Sequence, residues 1–161
     1  MTEMFNNGPN DERVTQTYMA GAKPCFSSLQ EAMARLAGLL MTAELKASWH
    51  VLGVLSFTEA EQRFAEAREH FDALLPNDSC QHFHRHLSNA VAHLGEAMRA
   101  AEGQGASLFG TRDPLPALQA AWRELVHASR ALPGFETVDF SNSCCLLHQN
   151  AMHSSLGVRY G

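Results

Sequence analysis

Apolar residues recur every three to four positions along most of the chain, and four stretches carry that pattern. Leu29, Met33, Leu36, Leu40, Ala43, Ala47, Val51 and Val54 fall on one stripe. At about 100° and 1.5 Å per residue they predict a first helix roughly 40 Å long. It is expected to start at Ser27 or Ser28, where Ser28-x-x-Glu31 has the form of a capping box. A second helix is expected from Thr58, with Thr58-x-x-Glu61 as its box, and Pro76 stops it. Its stripe is Ala60, Phe64, Ala67, Phe71, Leu74 and Leu75. The third helix is capped by Asn77 or Asp78 and runs to Glu102, before Gly103. Phe83, Leu87, Ala90, Val91, Leu94, Met98 and Ala101 face inward on it. The fourth opens at Asp113-Pro114, presents Leu118, Ala121, Trp122, Leu125, Ala128 and Leu132, and closes at Pro133-Gly134.

Residues 1–23 lack the period and carry Gly8-Pro9 and Gly21, so they are expected to form a flexible arm anchored by Tyr18 and Met19. Residues 24–161 form one domain, whose irregular tail over 135–161 includes Phe135, Val138 and Phe140 at strand-like spacing. Four amphipathic helices with short connections predict an all-α fold, an antiparallel up-down-up-down four-helix bundle. Composition supports the absence of a sheet. The chain has no Ile, seven Val and 23 Ala, an alphabet suited to helices rather than strands.

Charge narrows the function classes. Twelve Lys+Arg stand against 17 Asp+Glu, a formal charge of −5 over 161 residues. Without a basic block, a surface that tracks nucleic-acid phosphates is not expected. No apolar run approaches the ~20 residues of a membrane span. Met1-Thr2-Glu3 does not open a basic stretch and apolar core of the secretory kind, so the expected compartment is the cytoplasm. The four Cys, at 25, 80, 144 and 145, do not have disulfide-scaffold spacing. Cys144 and Cys145 are adjacent, too close along the chain for an unstrained bond, and read as thiols.

Histidine is the unusual residue, nine in all and four of them between 82 and 93. His82 and His86 lie one helical turn apart and form a possible half-site for a metal ion, whereas His93 is about 10 Å farther on. A second pattern pairs Cys80 with His84, and Cys144 or Cys145 with His148. Two such halves make the Cys₂His₂ tetrahedron that zinc favours. A third set, Glu44, Trp49 and His50, is expected near one pocket on the first helix. Glu44 and His50 lie about 9 Å apart along the axis. Di-metal bundles need Glu-x-x-His on each of two helices, a requirement the chain does not meet. His70 and His127 fall toward charged faces, as solvated positions.

No Ser nucleophile elbow, zincin or kinase signature is present, and the glycines between 103 and 111 do not form a phosphate cradle. The expectation is therefore a small helical-bundle protein of non-catalytic binding type. The long apolar flanks of helices 1 and 3 point to a homodimer. The alternative is a metal-binding or thiol-redox protein using Cys80, His84, Cys144, Cys145 and His148, with zinc as its cofactor.

Overall fold

The computed structural model describes residues 9–44, 49–102, 113–135 and 137. It is all-helical among the described residues, with four α-helices around a shared interior. They are α1 (Pro9–Glu44), α2 (Trp49–Asp72), α3 (Gln81–Glu102) and α4 (Leu115–Ala131). A single 3₁₀ turn, Asp78–Cys80, leads into α3. α1 packs chiefly on α2, and α3 chiefly on α4, the two pairs then meeting along their inner faces. No described helix is long and apolar enough to cross a membrane.

Alanine makes the two pairs. Ala60 and Ala67 on α2, Ala90 and Ala97 on α3, and Ala121 and Ala128 on α4 are each spaced by seven residues and wholly buried. A seven-residue step returns to nearly the same helix face. A methyl side chain there lets a neighbouring helix come close without a cavity. Leucine fills the space between the pairs: Leu29, Leu36, Leu87, Leu94 and Leu125 have no exposed surface. Phe64 packs on this core from α2, its ring tip facing Gly95 of α3, where an added Cβ would stand 3.3 Å from Cζ.

One end of the interior is aromatic. Phe83 of α3 stacks on Phe26 of α1 at 6.5 Å and meets Tyr18 edge-on at 6.1 Å. Phe135, past the end of α4, closes against Phe83 at 4.5 Å and Phe26 at 5.3 Å. Gly134, at φ +87°, supplies the left-handed residue that turns the chain back from α4 to put Phe135 there.

Several boundaries differ from the sequence pattern. Residues 9–23, expected in an arm, are the opening turns of α1. Tyr18 and Ala22 are buried and extend the Cys25–Leu29 stripe backwards by helical steps. Pro9 takes the first helical position, where its missing N–H costs nothing, and Asp11 and Glu12 favour that end electrostatically. α1 passes through Pro24, giving up one backbone hydrogen bond. Ser28 is therefore a nearly buried mid-helix residue and not a cap. The long helix expected through Val54 is two helices, because α1 ends at Glu44 and α2 opens at Trp49. Leu45-Lys46-Ala47-Ser48 has no Gly or Pro to announce the division, so the apolar period runs through it. Thr58 consequently sits inside α2. At α4 the expected start holds: the Asp113 carboxylate accepts a hydrogen bond from the Leu115 N–H at 2.9 Å.

Phe83 is the residue on which both helix pairs and Phe135 converge. Phe83→Ala should cost about 3–5 kcal/mol in urea denaturation. Leu75→Ala, at a side chain 85% exposed, should stay within about 0.5 kcal/mol of the parent.

Candidate functional site

The polar groups that converge most closely lie where α3 and α4 run side by side. His86 donates from Nδ1 to Glu124 Oε2 at 2.7 Å, both side chains largely shielded from solvent. Asn89, one turn farther along α3, donates to the same oxygen from Nδ2 at 3.2 Å. With two donors on it, the Glu124 carboxyl ends below its ordinary pKa; its partial burial pushes the opposite way and is outweighed by those bonds and by the nearby imidazoles of His86 and His127. The His127 ring lies 5.4 Å from that of His86, and the His82 ring 4.7 Å from it. Arg85 approaches His82 Nδ1 at 3.3 Å. With Nδ1 as the donor to Glu124, Nε2 is the nitrogen that carries the lone pair in the neutral ring.

The local sequence dictates this arrangement. His82 and His86 are spaced i, i+4 on one flank of α3, and Glu124 and His127 i, i+3 on the facing flank of α4. The α4 pair is a single Glu-x-x-His. It is visible in the sequence, but a helical wheel places His127 on the charged side of its own helix, away from α4's apolar stripe. The wheel does not show that α3 lies beside that flank. His127 is thus partner to His86 rather than merely solvated. As they stand, no three His, Cys, Asp or Glu side chains among the described residues converge to hold an ion. No Ser, Thr or Cys among the described residues hydrogen-bonds to the His86–Glu124 pair.

The other candidates separate. Cys80 is fully buried, and burial raises its thiol pKa; His84, four residues on, faces a different environment. Its ring stacks on Phe71 at 4.9 Å, and Tyr18 Oη and His84 Nδ1 share a 3.0 Å hydrogen bond. Burial lowers the His84 pKa and raises that of Tyr18, keeping both neutral. Cys25, also buried, is pushed up to about 12. Such thiols are poor nucleophiles and poor ligands. Cys144, Cys145 and His148 lie outside the described residues. Glu44 is the last residue of α1, and Trp49 and His50 are the first two of α2; their side chains lie outside the described set. The two groups thus belong to different helices, not to one stripe.

A second feature has no counterpart in the sequence reading. An open groove of about 590 Å³ runs between α1 and α4. Met33, Ala34, Ala37, Leu115, Leu118 and Trp122 line it, with Gln30, Gln119 and Arg123 as its polar members. Trp122, expected in the core, lies on this groove at 36% exposure and Leu115 at 43%.

The half-buried His84 sets a pH dependence with a definite sign. Above pH 6.5 it is neutral whether the chain is folded or not. As the pH falls through 6.5 the unfolded chain takes up the proton first, so stability declines until the lowered folded value is passed. Urea denaturation at several pH values should show this slope in the parent and a shallower one in His84→Phe. Tyr18→Phe, which strands His84 Nδ1, should cost about 1–3 kcal/mol at pH 7.5. No protein-family model matches the chain, and neither curated proteins nor solved structures provide a match, so function rests on these residues alone.

Proposed function

We propose that this chain is a helical-bundle protein that works by binding rather than catalysis, and that it acts as a homodimer. The observation that carries this reading is the α1/α4 groove. Its lining is mainly apolar, and among the described residues its one ionisable member is Arg123, so these residues offer recognition without an acid–base pair. Surface of this kind on a small protein marks an interaction site.

A second copy suits the groove because large and small side chains share its face. Trp122 and Leu115 are large and exposed, while Ala34 and Ala37 leave room beside them. A two-fold interface brings each patch against its own image, so knobs and recesses must lie on the same face. Gln30, Gln119 and Arg123 supply polar groups of the sort found around such patches.

We also infer that the helices run up-down-up-down in an antiparallel bundle. Arg63 pairs with Glu31 and Arg35 with Glu59, so residue numbers rise on α2 as they fall on α1. Phe71 faces His84 and Phe64 faces Gly95, the same relation between α2 and α3. Asn89 and His86 share Glu124, and His86 then faces His127, which supports it for α3 and α4.

Light scattering behind size exclusion tests the dimer. The parent should elute with twice the chain mass at micromolar concentration. Ala34→Arg and Trp122→Ser should each give monomers with unchanged helical circular dichroism. A parent that stays monomeric at several hundred micromolar overturns the reading.

A further inference from the structure

We propose that His82, His86 and His127 form a site for one zinc-class divalent cation, with Glu124 as the residue that orients it. The idea goes beyond the groove and does not depend on it. An imidazole that binds a metal through one nitrogen characteristically donates its other N–H to a carboxylate, which fixes the tautomer and raises the ligand's basicity. His86 already does this: Nδ1 donates to Glu124 at 2.7 Å, which leaves Nε2 as the nitrogen with which the neutral ring would bind an ion. Glu124 is itself held by Asn89 at 3.2 Å, so the orienting group has its own support.

The neighbouring rings have the right spacing. Two imidazoles bound at about 2.0–2.1 Å to one tetrahedral ion place their centroids about 5 Å apart. The His82–His86 and His86–His127 separations are 4.7 and 5.4 Å. The sides agree as well. Glu124 reaches Asn89 on one side of His86, so the next turn of α4, carrying His127, falls toward His82. What the present side-chain positions lack is aim, since no three donors yet converge. His82 and His127 are both exposed, and turning such rings about χ1 and χ2 disturbs no core contact. Arg85 opposes the site, because its guanidinium lies 3.3 Å from His82 Nδ1 and must withdraw when the ion binds. Three nitrogen ligands leave a fourth position for water, the arrangement of an open zinc centre.

Calorimetric titration of the full chain with Zn²⁺, and optical titration with Co²⁺, test the proposal. One equivalent should bind, and Co²⁺ should show tetrahedral d–d bands without a thiolate charge-transfer band. His82→Ala and His127→Ala, at exposed positions that leave the fold intact, should each weaken binding at least tenfold. Glu124→Gln should weaken it about 10–100-fold, the usual cost of losing an orienting partner. Arg85→Ala should tighten it. No stoichiometric binding overturns the proposal. So does binding that survives the His82→Ala/His127→Ala pair, or binding that is lost in Cys144→Ser/Cys145→Ser, which would assign the ion to the cysteine set instead. None of these outcomes bears on whether the groove forms a dimer.

Discussion

The closeness of helix approach governs this molecule. The seven-residue alanine steps on α2, α3 and α4 keep the side chains at those buried positions to a methyl group. Each helix therefore seats deeply on its partner, and leucine and phenylalanine are left to fill the wider space between the two pairs. The absence of isoleucine fits that division of labour. A seam of methyl groups excludes the β-branched residues that stiffen a helix surface, and leucine adapts better to the central gap. At one end of the interior rings replace aliphatics, and Phe26, Phe83 and Phe135 close that end.

This division explains which parts of the fold were legible in the sequence. The helical class is written in composition and period, and α4 matches because it is bounded by residues with strong local chemistry. The Asp113 carboxylate takes the Leu115 N–H and Pro114 fixes φ, independent of tertiary context. Asn77, expected to cap α3, makes no side-chain cap: it precedes the 3₁₀ turn, and its amide donates to Asp11 and Thr15 of α1. α1 fails by the same standard. Its opening turns contain Gly21 and Pro24, both unfavourable mid-helix, and only the tertiary burial of Tyr18, Ala22 and Phe26 outweighs them. Gly21 has a positive role there, since a Cβ would come within 3.2 Å of Leu74. A residue that breaks helices in isolation is thus selected by a neighbour that no local pattern reveals. The division between Glu44 and Trp49 is hidden for the converse reason, because good helix formers occupy it.

The polar sites were legible only by halves. A helical wheel ranks positions relative to one helix's own apolar face, so it found His82 with His86 on α3. It could not pair them with Glu124 and His127, which lie off the apolar stripe of α4, because the contact depends on how far α3 overlaps that flank. The Cys80–His84 pair shows the opposite error. Spacing i, i+4 suggests a shared turn, yet Cys80 ends a 3₁₀ turn and points into the core, while His84 is held between Tyr18 and Phe71. Its demand for a hydrogen bond in that setting is met by Tyr18, which makes the pair a structural one.

α4 ties the two candidate surfaces together. Taking Leu125 as the centre of its buried arc, at about 100° per residue Leu115, Gln119 and Trp122 fall on one flank, and Glu124 and His127 on the other. Seventeen residues thus divide into a core stripe, an apolar groove wall and a histidine flank. The consequence is mechanical. The core stripe includes Ala121 and Ala128, both wholly buried, so a roll of α4 that adjusted one flank would move the other. Turning the His127 ring toward a cation leaves that rod in place, whereas contacts made through Trp122 hold the backbone from which His127 turns. Any coupling between the surfaces must run through the registry of that alanine seam. It needs no separate pathway of side chains, because a helix seated on methyl groups has little freedom other than sliding or rolling as a unit.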